Sequence, residues 1–517
     1  MQIIDIPALT KVTPTPFSHV PKLSLSPLAL QDESRMMPGI AVSVCQPHTA
    51  ADVAGVLQEA ISKACPVRIA GIRTGVTGGC IPENELVCDM GAMKKIGEIE
   101  IDSKTNERYV WIEAGVSIQE ISNFLRKETN DAYFYPPDPT EATASLGGTI
   151  ATNASGARTY RYGPTRNWIY GLQVMLPSGE ILSLERGQYR IPAVKEEIRF
   201  TTQEKDISIV LPVKRYAWPS VKHTGGFYST DGLLDPIDLF IGSEGLLGII
   251  LSAKIKLLPH VFSFWVVQFT KNENEAFDFA TALDANDILR PEFIEFYDSR
   301  SLNFLRKHVS VLPVPLPPTA NSAVFFNVPF SCTDRMSQEA KLETILDLSK
   351  KMKIEEDLSF VAMDVKQQTA FNELRHLLPE TINRVVSERK QKLSSLHKIS
   401  TDFSVPPSRF SSFWDACFHA LSENNIEWVS FGHIGNAHLH INLLPMTVEE
   451  FQMAQRLYIV LAQEAIRHGG SISAEHGIGR LKRHLLPLQF SPEVILQMKA
   501  IKKAIDPHLI LNPNTLW

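Results

Sequence analysis

Glycine-bearing segments set among runs of strand formers do most to narrow what this chain can fold into. Val67-Arg68-Ile69-Ala70 reads as a short strand and runs straight into Gly71-Ile72-Arg73-Thr74-Gly75-Val76-Thr77-Gly78-Gly79. Glycines let a backbone approach a ligand closely, and successive amides in such a loop cradle a pyrophosphate. The order is not G-x-G-x-x-G, and no helical pattern opens directly after the loop, so the dinucleotide-binding βαβ reading fails. Alone, the loop reads first as a glycine-rich surface turn. It is followed by Tyr135-Pro136-Pro137-Asp138-Pro139, Ser145-Leu146-Gly147-Gly148-Thr149-Ile150-Ala151-Thr152-Asn153-Ala154-Ser155-Gly156, Tyr162-Gly163 and Ile241-Gly242-Ser243-Glu244-Gly245-Leu246-Leu247-Gly248-Ile249-Ile250.

The 517 residues are enough for two or three domains. Residues 1–37 are rich in Pro and Ser and read as an arm, with regular structure beginning near Val42. Thr49-Ala50-Ala51-Asp52 opens a capped helix reaching Ala64, and Ser117-Ile118-Gln119-Glu120 opens another with Ile118, Ile121, Phe124 and Leu125 on one face. From Gly147 to Leu258 short β-branched runs alternate with Gly and Pro, which gives an α+β fold class rather than a regular βαβ repeat. A second domain occupies 260–458, with a Pro-rich loop at Pro313–Pro318. Thr447–His468 is helical, and Ser491-Pro492-Glu493 starts a last helix with Pro at its first position. The divisions are therefore 1–37, 38–259, 260–458 and 459–517.

A second pair of segments points to chemistry. Trp428–Phe431 and Leu439–Leu444 are strand formers on either side of Gly432 and Gly435, which reads as a β-hairpin. On its second strand His438, His440 and Asn442 share one face, and His433 ends the first strand. About forty residues on lies Ser473-Ala474-Glu475-His476-Gly477-Ile478-Gly479. Together they offer two imidazoles and a carboxylate to a divalent ion such as zinc, with an open position left over and a further histidine as general base. A single histidine in such a strand is as readily a hydrogen-bonded core residue.

In spacing and order, the glycine segments resemble the FAD-binding domain of the vanillyl-alcohol oxidase type. The histidine segments and the closing Asp506-Pro507 and Asn512-Pro513 resemble the branch containing D-lactate dehydrogenases, glycolate oxidase flavin subunits and D-2-hydroxyglutarate dehydrogenases. The resemblance spans about residues 38–517. It implies a two-lobed FAD-binding domain, an α+β substrate (cap) domain carrying the hairpin, and a C-terminal helical segment returning to the flavin. It places the FAD pyrophosphate at Gly71, Ile72, Arg73, Thr74, Gly75, Val76, Thr77 and Gly78. It assigns the flavin and ribityl chain to Ser145, Gly147, Gly148, Thr152, Asn153 and Gly156, and the adenosine part to Glu244 and Ile249; Asp138 and Asn512 join the cofactor contacts. It also favours the metal reading, with ligands His433, His440 and Glu475 and with His476 as base.

The sequence departs from that family in two places. Two further family glycines are replaced by Ile72 and Arg73, and Arg73 is expected to contact phosphate. The family's Asp-Gly-Asn becomes Asn436-Ala437-His438, which implies a different turn and an extra imidazole, read here as support behind the ligands. No histidine lies in the 71–79 loop and Cys80 just follows it, so FAD is expected to be held non-covalently.

For the substrate, Arg375 resembles the family's anion-binding arginine, which suits bidentate carboxylate recognition. Lys398 and Asn442 are further candidates. The expected reaction is oxidation of a small anionic D-2-hydroxy acid, D-lactate in the first instance. The alternatives are a D-2-hydroxyglutarate-type dehydrogenase or a flavin subunit of an electron-transfer complex. A metal hydrolase would explain the ligands but not the flavin segments. The net charge of −6 gives no basic footprint for nucleic acid. No apolar run approaches the ~18 residues of a membrane span, and no signal peptide is read. Cys45, Cys65, Cys80, Cys88, Cys332 and Cys417 form no C-x-x-C pair, which argues against an iron–sulfur cluster and for a reducing compartment. Electrons must then leave FAD for a quinone, an electron-transfer protein or oxygen. A cytoplasmic protein is expected, with peripheral membrane contact and a homodimer left open.

Overall fold

The computed structural model describes residues 3–517 except 35, 193–194, 196, 214–215, 217, 222–232, 331–334 and 394–395. Cys332 lies outside the described residues.

The strand Val67–Ala70 ends a four-stranded sheet in the order Lys22–Leu23, Ile40–Cys45, Glu83–Asp89, Val67–Ala70, the last three parallel. The helix Ala50–Ser62 joins two of those strands. Thr49 and Asp52 cap it reciprocally, and its Val53, Val56, Leu57 and Ala60 are buried.

A nine-stranded sheet forms the other lobe. Its order is Ser208–Pro212, Glu197–Thr202, Ile4–Thr10, Ile181–Glu185, Ile169–Met175, Ile249–Pro259, Arg108–Glu113 and Ile96–Ile101, with Tyr133–Phe134 pairing from the side. The first residues are therefore not an arm. Ile4–Thr10 lies parallel to Glu197–Thr202 and antiparallel to Ile181–Glu185, with Ile6 and Leu9 buried. The β run is short and its partners lie far along the chain, so neither shows as local periodicity. The helix Ile118–Thr129 carries the expected Ser117–Glu120 capping box and buries Ile118, Ile121 and Leu125.

The stretch read as short strands also contains a helix, Leu146–Thr152, capped by Ser145, which accepts from Gly148 N at 3.3 Å. Gly147 is required there by contact, since a Cβ would lie 2.7 Å from that of Ala114.

An eight-stranded sheet runs Ser359–Ala362, Phe262–Thr270, Ser322–Phe330, Ile294–Tyr297, Trp428–His433, His438–Leu443, Ile399–Ser400, with Phe403–Ser404 also on His438–Leu443. The last helix, Pro492–Ile505, carries the chain end back to the four-stranded sheet. There Leu511 bridges Val67, and the buried Arg68 pairs with Glu85 at 2.7 Å while donating to Pro513 O at 2.6 Å. Among the described residues no helix is long and apolar enough to cross a membrane.

Candidate active site

Where the three sheets meet lies a cavity of about 580 Å³. Gly71, Ile72, Arg73, Thr74, Gly75, Val76 and Thr77 line one end, with Ser145, Gly147, Gly148, Thr152, Glu244 and Asn512. A Cβ at Gly75 would meet nothing within 4 Å, so the loop's backbone faces open space there.

Glu244 is 7 % exposed, and its two oxygens accept from Ile478 N at 2.7 Å and Gly479 N at 2.8 Å. Asn512 donates to Glu244 O at 2.7 Å and accepts from Ile69 N at 2.8 Å, tying the chain end to this corner.

Several expected cofactor contacts stand off the cavity. Ile249 begins a strand whose alternation turns it into the core beside Met175, while Gly248 and Ile250 face the cavity. Asn153 ends the helix Leu146–Thr152 in the left-handed region and accepts from Arg166 N at 2.9 Å. Gly156 packs on Asp138, whose carboxylate accepts from Arg158 N at 3.0 Å, so both brace the wall from behind. Gly78 faces Met36. Arg73 lines the cavity; its guanidinium donates to Asp89 Oδ2 at 2.6 Å and to Ala29 O at 3.1 Å, and its Nη2 is buried without a hydrogen-bond partner. Cys80 also lines the cavity, and burial pushes its thiol up to about 12, which leaves it protonated and a poor nucleophile.

At the other end the hairpin forms as expected, pairing His433 with His438 and Phe431 with His440. Ala437 takes φ +51, so the turn keeps a left-handed residue despite the Cβ. Glu475 Oε2 lies 3.4 Å from His433 Nε2 and 3.3 Å from His440 Nε2, and it is buried without a hydrogen-bond partner. His440 Nδ1 donates to Thr401 O at 3.0 Å, which leaves Nε2 with its lone pair toward Glu475. His433 Nδ1 sits 3.0 Å from Glu295 Oε1. Lone pairs converging on one buried point, with orienting groups behind them, are the arrangement a divalent ion satisfies. His433, His438, His440 and Glu475 can bring one ligand atom each within 4.8 Å of one another; so can Asp402, Glu475 and His476.

His476 stacks on His440 with centroids 5.5 Å apart, and its Nε2 is 3.9 Å from Glu475 Oε2. Asp402 lies behind it, accepting from His476 N at 3.0 Å and pairing with Lys482. His438 Nε2 is 3.1 Å from Asp402 Oδ1.

The charges follow from these neighbours. Burial opposes a charge on His433, but Glu475 and Glu295 outweigh it and lift the ring to about 10. Burial likewise opposes ionisation of Glu475, yet His433, His440 and His476 hold it well below the usual carboxylate range. Burial lowers His438 to about 4, with His440 adding to the effect. Burial also holds His476 below its ordinary value.

Arg375, Lys398 and Asn442 all line this end. Arg375 is paired with Glu295, Nη2 to Oε1 at 2.9 Å, an anion that sequence reading missed. Glu295, Asp402 and Lys482 were missed together. Their only local signal was a charge within or beside apolar strand and turn residues, which implies a buried partner.

Residues 258–516 match the family described as FAD linked oxidases, C-terminal domain, and residues 41–185 match the FAD binding domain. The chain is 28% identical over 483 residues to a D-2-hydroxyglutarate dehydrogenase of Xanthomonas citri pv. viticola, covering 92% of this chain and 89% of that one. It is 26% identical to a D-lactate dehydrogenase of Archaeoglobus fulgidus, covering 91% and 90%. It is also 26% identical to the glycolate oxidase subunit GlcD of Bacillus subtilis, covering 92% and 88%. A solved alkyldihydroxyacetonephosphate synthase shares the fold with a TM-score of 0.59 at 15% identity, over 92% of this chain and 76% of that one. The chain belongs to the FAD-linked oxidases and is an FAD-linked oxidoreductase of the vanillyl-alcohol oxidase fold.

Proposed function

We propose that the protein oxidises a D-2-hydroxy acid, D-lactate in the first instance, to the 2-oxo acid. One observation carries this reading: the orphaned Glu475 Oε2, faced by His433 and His440, opens on the same cavity as Arg375 and the flavin loops. His433, His440 and Glu475 would hold a divalent ion such as zinc, and the 71–77 loop, the Ser145 helix and Glu244 would hold FAD. When bound, FAD takes the hydride and the ion acidifies the substrate hydroxyl.

The chain's own groups do the rest. Arg375 grips the substrate carboxylate, with Asn442 and Lys398 beside it. His476 takes the hydroxyl proton at Nε2, because Asp402 lies on the Nδ1 side. Burial favours the neutral ring that this requires. The substrate thus loses one proton and one hydride from a single H–C–O–H unit, and the two electrons would go on to a separate acceptor: a quinone, an electron-transfer protein or oxygen. FAD is held without a covalent bond, in keeping with the protonated Cys80.

A D-2-hydroxyglutarate-type reaction is the second reading. It is favoured by Lys398 lining the same end as Arg375, where a second carboxylate would sit.

The test is a panel of D- and L-2-hydroxy acids, D-lactate and D-2-hydroxyglutarate included, with FAD-loaded protein and an artificial dye acceptor. D-selective bleaching of the flavin and reduction of the dye are expected, with FAD released intact by acid. L-selective turnover, or no flavin reduction by any member, would sink the reading.

A further inference from the structure

Pro379 lies inside the helix Val365–Lys392. A proline in a helix interior supplies no N–H to the carbonyl four residues back, and its ring crowds that carbonyl. Four residues back is Arg375, the residue read above as the substrate's anion site. Its orphaned carbonyl has a different donor: Tyr297 Oη donates to Arg375 O at 2.5 Å.

The source of that hydroxyl matters. Tyr297 ends the strand Ile294–Tyr297, and alternation puts Glu295 on the same face. Glu295 pairs with the Arg375 guanidinium, Nη2 to Oε1 at 2.9 Å. Two residues further back, the Phe293 ring lies 5.2 Å from Arg375 Cζ. Alternate residues of one stretch therefore hold the arginine by its backbone, its charge and its flat face. Tyr297 is only 3% exposed, and it borders the cavity together with Pro379 and Arg375.

We propose that Tyr297 and Pro379 are positioning residues that fix where Arg375 presents its guanidinium to the substrate carboxylate, a proposal that rests on the reading of Arg375 as the anion site. Pro379 frees the carbonyl, and Tyr297 takes it and registers the helix against the strand that already holds the guanidinium. The remaining Nη1 is left to reach the substrate. Had the hydroxyl served stability alone, its loss would change unfolding without changing substrate affinity.

The test uses the FAD- and metal-loaded full chain, with D-lactate and D-2-hydroxyglutarate as substrates. Oxalate serves as a non-reacting probe, its binding followed by the flavin absorbance. Tyr297→Phe should raise KM and weaken oxalate binding by about 3- to 10-fold, the worth of one hydrogen bond, while kcat and FAD content hold. Pro379→Ala returns a backbone N–H to position 379, so Tyr297→Phe/Pro379→Ala should recover KM to near that of the unaltered protein. A silent Tyr297→Phe beside a strong Arg375→Ala effect overturns the positioning role and leaves the anion site standing. A Tyr297→Phe defect that Pro379→Ala does not relieve also overturns it, since the hydroxyl then acts elsewhere than on the carbonyl. A silent Arg375→Ala removes the anion site and the proposal together.

Discussion

Glu295 Oε1 lies 3.0 Å from His433 Nδ1, and the same carboxylate holds the Arg375 guanidinium. A candidate metal ligand and the candidate anion-binding arginine thus share one buried anion. Burial alone would raise its pKa, but Arg375 and His433 hold it far below the usual carboxylate range, so it stays ionised. A change at Glu295 should be felt at both.

Glu295→Gln keeps the shape and removes the charge. His433 loses the group that orients and polarises it, and such outer partners are worth about 10- to 100-fold in metal affinity. Equilibrium dialysis against zinc should show a loss of that size. Unaltered zinc affinity would mean that Glu295 serves only Arg375.

Arg375→Ala should raise KM for a 2-hydroxy acid strongly, since a hydrogen bond to a charged group is worth ~1.5–3 kcal/mol. Arg375→Lys should recover little, because a lysine cannot keep the two-point pairing with Glu295 and still reach the substrate. Steady-state kinetics of both variants decide the matter, and equal KM values in all three proteins would place the anion site elsewhere.

What the sequence made legible was whatever is written in contiguous residues. The hairpin could be read because strand formers flank Gly432 and Gly435, and the helices because Thr49, Ser117, Thr447 and Ser491 announce them. His433, His440, Glu475 and His476 stood out as polar residues clustered in short motifs, and the structure brings them together. Glu295, Tyr297, Asp402 and Lys482 did not stand out. Each is a single polar residue whose meaning lies in a partner that only folding supplies, such as Arg375, eighty residues from Glu295. Ile249 shows the converse. A motif names the residues near a ligand, but strand alternation decides which way each side chain turns. Ile4–Thr10 was hidden because a parallel pairing leaves no local trace.

The segment that carries Glu244 is clamped from below. Asp238 accepts from Arg166 at 2.9 Å and from Arg186 at 2.9 and 3.0 Å, and Arg166 also holds Ile241 O at 2.5 Å. Burial works against the Asp238 charge, yet the two arginines bring its pKa below the ordinary value. An acid whose folded pKa is depressed gives stability that is fully present above its unfolded value. That stability is lost as pH falls through the folded one. Asp238→Asn should therefore unfold more readily by about 3 kcal/mol at neutral pH, the cost of stranding partly buried cations. The gap should hold down to pH ~5 and close below pH ~4. Thermal unfolding of both proteins across that range is the measurement; a gap that widens on acidification would contradict the assignment.

The last expectation separates ligand from base. Two overlapping sets around Glu475 can each gather ligand atoms, one with His433, His438 and His440 and one with Asp402 and His476. The orienting contacts favour His433 and His440 as ligands: His440 Nδ1 is committed to Thr401 O, and His433 Nδ1 faces Glu295, so both present Nε2. His476 is placed otherwise. Its Nδ1 faces Asp402 at 3.7 Å, its ring is a third exposed, and its Nε2 stands further from Glu475 Oε2 than those of the other two. Glu475→Gln should therefore lose both bound zinc and turnover while keeping FAD. His476→Ala should lose turnover and keep both zinc and FAD. His438→Ala should keep zinc as well if that ring only backs Asp402, from which its Nε2 lies 3.1 Å. Metal content by elemental analysis, with flavin absorbance on the same samples, reads all three variants at once. If zinc falls in His476→Ala as far as in Glu475→Gln, the metal belongs to the Asp402 set, and the proton must leave the substrate by another group.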